Sequence, residues 1–156
     1  MKQRKLKLYL ENSVISMYFQ EDAPYFRDLT KEFWSEILPH FDVYVSETVI
    51  DEIRATKDVK LRRALQDLIK GYKILEITED IVRLADVYLS YRRLPRMDAF
   101  HLASASLGEM DSLVTWNLRH LYKRGTQDMV YEVNTRLRIP IPAIVTPEEF
   151  FEGEEV

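Results

Sequence analysis

No cysteine occurs in this sequence. That absence removes disulfides, thiolate zinc sites and a cysteine nucleophile together. Glycine is scarce, with four residues in 156, and none falls in a GxGxxG or GxxxxGK[ST] arrangement, so the phosphate cradles of nucleotide-binding folds are missing. The three histidines form no HExxH or paired zinc motif. No apolar run approaches the ~20 residues that span a bilayer, which argues against a membrane protein. The amino-terminal MKQRKLKLYLENS is basic, but Glu11 interrupts its short apolar run and no small-residue cleavage site follows. The expectation is therefore no signal peptide and a cytoplasmic location. A basic excess is also lacking: 22 Lys and Arg against 26 Asp and Glu give a net charge of −4, which counts against a duplex-binding module but not against an enzyme that acts on nucleic acid.

What is present is a chain with 46% hydrophobic and 31% charged residues, enough for one folded domain over residues 1–156. Strand and helix patterns alternate along it. LKLYL (6–10) reads as a first strand and runs into a helix from Ser13 to Phe19, capped by Asn12 or Ser13. Pro24 starts a second helix, in which Phe26, Leu29, Phe33, Trp34 and Ile37 recur at helical spacing until Pro39 stops it. FDVYVS (41–46) is a second strand, with Ser46 capping ETVIDEIRA. Asp58 starts VKLRRALQDLIK, which Gly71 closes as a C′ residue. YKILEI (72–77) is a third strand, and Thr78 caps EDIVRLADVYLSYRR. DAFHLASASLG forms a helix ended by Gly108. SLVTW (112–116) is a fourth strand, residues 117–138 are partly helical, and IPAIVT (141–146) is a fifth strand before PEEFF and an acidic tail. The order β-α-α-β-α-α-β-α-α-β-α-β predicts an α/β fold, a three-layer α/β/α sandwich around a mainly parallel sheet. Sites in such folds lie beyond the carboxyl ends of the strands, near a topological switch point.

Acidic and amide residues stand at those ends. Glu11 follows strand one, Glu52 lies in the helix after strand two, Asp98 opens the helix before strand four, and Asn117 follows strand four. Converging carboxylates repel unless a hard cation sits among them, and Mg²⁺ or Mn²⁺ prefers such oxygen ligands. A cation held there suits hydrolysis of a phosphodiester by water. Each residue also has a plainer explanation. Glu11 would favour a helix amino-terminus through its dipole. Glu52 would be a solvated helix residue beside Asp51, and Asp98 and Asn117 would be helix caps. Asp111 reads as a cap or ion-pair residue at the start of strand four.

Four segments, in order, resemble the PIN-domain ribonucleases, best known as the VapC toxins of toxin–antitoxin pairs. YLENSVISMYF resembles the family's apolar strand running into Asp-Thr-Ser and a helix, departing from it at Glu11 and Asn12. VSETVIDEI carries Ser46 and Glu52, MDAFHLASA carries Asp98, and DSLVTWN carries Thr115 and Asn117, in the variant that ends in Asn. IVTPEEF resembles the closing strand. The resemblance implies a metal-dependent endoribonuclease that leaves 5′-phosphate and 3′-hydroxyl ends. Glu11, Asp98 and Glu52 would hold Mg²⁺ or Mn²⁺, Asn117 would complete the catalytic set, and Ser13 and Thr115 would orient the carboxylates. It also implies an RNA substrate, an antitoxin partner and a homodimer, with Trp34, Tyr18 and Phe26 as candidates for its surface.

The departures keep an alternative open. Glu11 extends its carboxylate by ~1.5 Å relative to Asp, and Asn117 leaves three formal negative charges instead of four. A degenerate member that binds RNA or a protein partner without cutting is the second expectation. A receiver domain is the third, discounted because no lysine follows the last strand. His101, one turn after Asp98, either faces the site or is a hydrogen-bonded core histidine. Arg92, Arg93, Arg96, Arg119, His120, Lys123 and Arg124 are either phosphate contacts or a solvated charged face. Tyr9, Tyr18 and Tyr44 read as core or interface, whereas Tyr91, Tyr122 and Tyr131 lie where bases could stack.

Overall fold

The computed structural model describes residues 4–151. Five strands, β1 (Lys7–Leu10), β2 (Asp42–Ser46), β3 (Lys73–Leu75), β4 (Ser112–Val114) and β5 (Ala143–Val145), form one sheet in the order β3-β2-β1-β4-β5. Every neighbouring pair is parallel, with Tyr9 opposite both Tyr44 and Leu113. Seven α-helices fill the connections: α1 (Asn12–Met17), α2 (Pro24–Glu32), α3 (Glu47–Arg54), α4 (Val59–Leu68), α5 (Glu79–Tyr91), α6 (Arg96–Leu107) and α7 (Arg124–Leu137). Right-handed crossovers put the connections from β1 out to β3 on one face and those from β3 back to β5 on the other. The packing agrees, because α1 meets α2, α3 and α4, while α5 meets α6 and α7. This is the expected three-layer α/β/α arrangement. β1 is central and buried, as Leu8, Tyr9 and Leu10 show, and a strand covered on both faces has no polar side to present. Among the described residues no helix is long and apolar enough to cross a membrane.

The element order is as expected, and the differences lie at the ends. The second helix does not run on as one α-helix to Leu38. α2 ends at Glu32 and passes into a π-helical turn, Phe33–Ile37, then a 3₁₀ turn, Leu38–His40, which turn Phe33 and Leu38 into the core. β3, β4 and β5 are each three residues long, shorter than their apolar runs, and β3 and β5 are the two edges of the sheet. Gly71 has φ +91°, but it lies two residues beyond the C-cap Ile69. Asp58 and Thr78 cap their helices as expected, accepting from Lys60 and Leu61 and from Ile81 respectively. The first three residues and the acidic tail after Phe151 lie outside the described residues.

Candidate functional site

The crossovers diverge between β1 and β4, which makes that boundary the switch point of the sheet. Glu11 leaves β1 there, its N–H donating to the Val114 carbonyl of β4 at 3.1 Å. Thr115, Trp116 and Asn117 leave β4 beside it. Glu11, Ser13, Thr115, Asp98 and Asn117 therefore meet at one sheet end, and Glu52 approaches from α3.

Glu11 is 5% exposed and is the N-cap of α1, the place expected for Asn12 or Ser13. Its Oε2 accepts from the Ser13 N–H at 3.1 Å, and its Oε1 accepts from the Ser13 and Thr115 hydroxyls at 2.5 and 2.6 Å. The longer side chain folds back on its own helix, so no residue after it is needed as a cap. Ser13 Oγ also accepts from the Trp116 N–H at 2.8 Å, and Thr115 Oγ1 accepts from the Asn117 N–H at 2.8 Å. These hydroxyls lock the ends of β1 and β4 together and both donate to Glu11. Asn12 Oδ1 is buried without a hydrogen-bond partner among the described residues.

Asp98 is 7% exposed and sits in the first turn of α6, whose N-cap is Pro95. It is thus not a cap. Among the described residues its one side-chain hydrogen bond is from Asn117 Nδ2, at 3.4 Å. Burial first, and then the charge of Glu11, push its carboxyl up to about 6, while His101 and His120 pull the other way. Asn117 Oδ1 accepts from the His120 N–H at 2.9 Å, so the amide turns its donor to Asp98 and its oxygen to the next turn of chain.

Glu52 Oε1 lies 2.7 Å from His101 Nε2, a pairing that joins α3 to α6. His101 is fully buried. Burial opposes its imidazolium, but the Glu52 hydrogen bond and the charges of Glu11, Glu52 and Asp98 outweigh that and raise its pKa. Both alternatives foreseen for His101 are therefore present: it is a satisfied core histidine and it touches a site carboxylate. Two participants were not foreseen as such. Tyr9 OH lies 2.6 Å from His101 Nδ1 and 2.7 Å from Ser46 Oγ. Ser46 stands at the N-cap position of α3 without making a cap hydrogen bond, because its hydroxyl is committed to Tyr9. The available signal was a tyrosine in the middle of a central strand, where its hydroxyl needs a buried partner.

Asp111 lies at the opposite end of β4. It accepts from the Lys7 N–H at 2.7 Å and pairs with Arg4, as an ion-pair residue at a strand start would. Among the basic residues, Arg96 pairs with Asp86, Arg124 with Asp128, and Arg92 donates to Thr126. Arg93, Arg119 and Lys123 have no ion pair among the described residues. Trp116 is held in the core by its indole N–H, which donates to Thr30 Oγ1 at 2.8 Å, and by Phe26 edge to face. Phe26 is thus partly engaged within the chain, and Trp34 meets Tyr18 in the same way.

Among the described residues no three Asp, Glu, His or Cys side chains are drawn together into a metal-holding group. The donor chemistry nevertheless fits a hard divalent cation. Glu11 and Asp98 are two nearly buried carboxylates with no Lys or Arg partner among the described residues, and Mg²⁺ is commonly bound by one or two carboxylates with water filling its remaining positions.

No protein-family model matches the sequence, and no curated protein is significantly similar to it. Solved structures are similar in fold. The chain superposes on one from the crystal structure of VapBC2 from Rickettsia felis bound to a DNA fragment from its promoter, with a TM-score of 0.57 and 11% identity, over 90% of this chain and 98% of that one. It also superposes on a chain of a toxin–antitoxin complex from Klebsiella pneumoniae, with a TM-score of 0.56 and 19% identity, over 76% of this chain and 93% of that one. The fold is that of a VapC-type PIN domain.

Proposed function

We propose that this chain is a metal-dependent endoribonuclease, the toxin-like component of a toxin–antitoxin pair, working in the cytoplasm. The observation that carries the proposal is the placement of Glu11, Asp98 and Asn117 at the switch point between β1 and β4, with two buried carboxylates that have no Lys or Arg partner among the described residues. Glu11 and Asp98 would hold Mg²⁺ or Mn²⁺, with Glu52 facing the same space from α3. When bound, such a cation offsets the charge of a phosphodiester and of the oxygen that leaves it.

The chain's own groups have distinct tasks. Ser13 and Thr115 hold the Glu11 carboxylate in one orientation. Asn117 steadies Asp98 through its amide N–H and adds no charge. Glu52 keeps one oxygen on His101, and its second oxygen would serve the substrate side. Arg93, Arg119 and Lys123, which have no ion pair among the described residues, are the candidates for RNA phosphates. The similar solved structures are toxin–antitoxin complexes, which supports an antitoxin protein as partner. A homodimer follows from the family resemblance alone.

The test is cleavage of RNA with Mn²⁺. Wild-type protein should cut, and Asp98→Asn and Glu52→Gln should each lose activity by at least about tenfold. Activity unchanged by both substitutions overturns the proposal.

One observation favours the second reading, a PIN-fold protein that binds without cutting. Both Glu11 oxygens are occupied by donors from the chain, and the Asn117 oxygen is occupied by the His120 N–H. Absence of Mn²⁺ binding by calorimetry, in wild type and in the Glu11→Asp/Asn117→Asp double variant alike, would favour it.

A further inference from the structure

Behind Glu52 stands a chain of buried polar groups that the metal-and-carboxylate scheme does not use. Ser46, Tyr9 and His101 are all fully buried, and they come from β2, β1 and α6. The links run Ser46 Oγ to Tyr9 OH at 2.7 Å, Tyr9 OH to His101 Nδ1 at 2.6 Å, and His101 Nε2 to Glu52 Oε1 at 2.7 Å. Only Glu52 reaches solvent, its side chain being 27% exposed.

A count of hydrogens fixes the direction of the last link. An ionised carboxylate only accepts, so the ring nitrogen facing Glu52 carries the hydrogen. The other ring nitrogen faces a hydroxyl, and a hydroxyl can donate or accept. With a neutral ring, Ser46 donates to Tyr9 and Tyr9 donates to Nδ1. With a protonated ring both hydroxyls turn round, Nδ1–H donates to Tyr9 and Tyr9 donates to Ser46. Each link of the chain has a donor and an acceptor in either case, and Nε2–H stays directed at Glu52. The hydroxyl pair therefore lets Nε2–H stay on Glu52 in either state of the ring, with a stronger bond when the ring is charged.

We infer that Ser46, Tyr9 and His101 are positioning residues that fix Glu52 through one oxygen, so that its second oxygen points in one direction at the end of the sheet. The inference rests on the reading of this site as a nuclease centre. A flexible glutamate on the eight-residue helix α3 would sample several rotamers. The network selects one and ties α3 to α6 beside Asp98. Loss of such an outer hydrogen bond to a site carboxylate typically costs about 10- to 100-fold in activity or metal affinity.

The experiment has two arms. In the first, ¹⁵N NMR of metal-free protein labelled at histidine reads the ring nitrogens of His101. Nε2 should carry the hydrogen in wild type, and its resonance should shift on Glu52→Gln and on Tyr9→Phe. An unprotonated Nε2, or one indifferent to both substitutions, overturns the inference whether or not the protein cuts RNA. In the second arm, RNA cleavage is measured for Tyr9→Phe, His101→Ala and His101→Gln, each checked for a wild-type circular dichroism spectrum. The expected result is a fall in kcat of about 10- to 100-fold for His101→Ala, a smaller fall for Tyr9→Phe, and little change in KM for either. His101→Gln, whose amide N–H can replace Nε2–H, should recover most of the loss. Wild-type cleavage with His101→Ala and Tyr9→Phe equally active overturns the inference and leaves the nuclease reading intact. A wild type that cuts no RNA removes the nuclease reading, and the NMR arm then decides whether Glu52 is held.

Discussion

Neutralising Asp98 should stabilise the metal-free protein at neutral pH, although it should abolish activity. Asp98 is 7% exposed, and its carboxyl is raised from 3.8 to about 6, by burial first and by the Glu11 charge second. A carboxyl raised in the native state binds its proton more tightly there than in the unfolded chain, so ionisation costs native stability. Below about pH 3.8 both states are protonated and the cost is absent; it grows between there and about 6, and is constant above. A shift of this size corresponds to about 3 kcal/mol at 1.36 kcal/mol per pKa unit. Solvent at the open side of the site screens part of that, leaving about 1–2 kcal/mol. Asp98→Asn keeps the shape and can still accept from Asn117. Urea unfolding in a chelator should therefore show the variant more stable by about 1–2 kcal/mol near pH 7.5, with the gap closing by about pH 4. Adding Mn²⁺ should reverse the order, because only wild type gains binding energy, about 2.7 kcal/mol at a hundred times Kd. A wild type as stable as the variant near neutral pH in chelator would refute the account of Asp98 as an uncompensated buried charge.

Two further substitutions probe the frame that holds the site. Tyr88 OH donates to Asn134 Oδ1 at 2.6 Å and lies 3.0 Å from Ser106 Oγ, tying α5 to α7 and α6. Tyr88→Phe strands the Asn134 oxygen and should cost about 1–3 kcal/mol, read as a fall in urea midpoint with an unchanged slope. Gly71 has φ +91° with open space where a Cβ would stand, so Gly71→Ala meets no neighbour and should cost about 1 kcal/mol through backbone strain alone. A neutral Gly71→Ala, measured the same way, would show that the turn before β3 relaxes freely.

The layer order was legible because the hydrophobic periods are clean. Alternating β and α segments, none joined by a hairpin turn, leave parallel pairing as the workable topology. Helix caps were legible where the capping residue had nothing else to do, as at Asp58 and Thr78. They were misjudged where the side chain had a distant partner. Ser46 gives its hydroxyl to Tyr9, 37 positions away in sequence. Glu11 takes over the cap that Asn12 or Ser13 would otherwise supply. Local sequence cannot rank a cap against a tertiary hydrogen bond, since both satisfy the same atom. For the same reason the sequence left His101 undecided between core and site, whereas its two ring nitrogens allow it to serve both.

The four residues expected to share the chemistry do not share the burden of charge equally. Glu11 is deeply buried but accepts three hydrogen bonds, two from hydroxyls and one from a backbone N–H at a helix start, where negative charge is favoured. Glu52 rests on an imidazole. Asp98 has a single amide contact at 3.4 Å, and it is the carboxyl pushed up to about 6. The unmet charge of the site is therefore concentrated on α6, and a cation would gain most by approaching Asp98 first. A second carboxylate in place of Asn117 would face Asp98 directly and raise the repulsion there in the metal-free state, whereas the amide turns a donor to it. Asn117 and the long arm of Glu11 thus have a common physical effect: each lowers the electrostatic cost of the empty site, at the expense of the negative potential that attracts a cation.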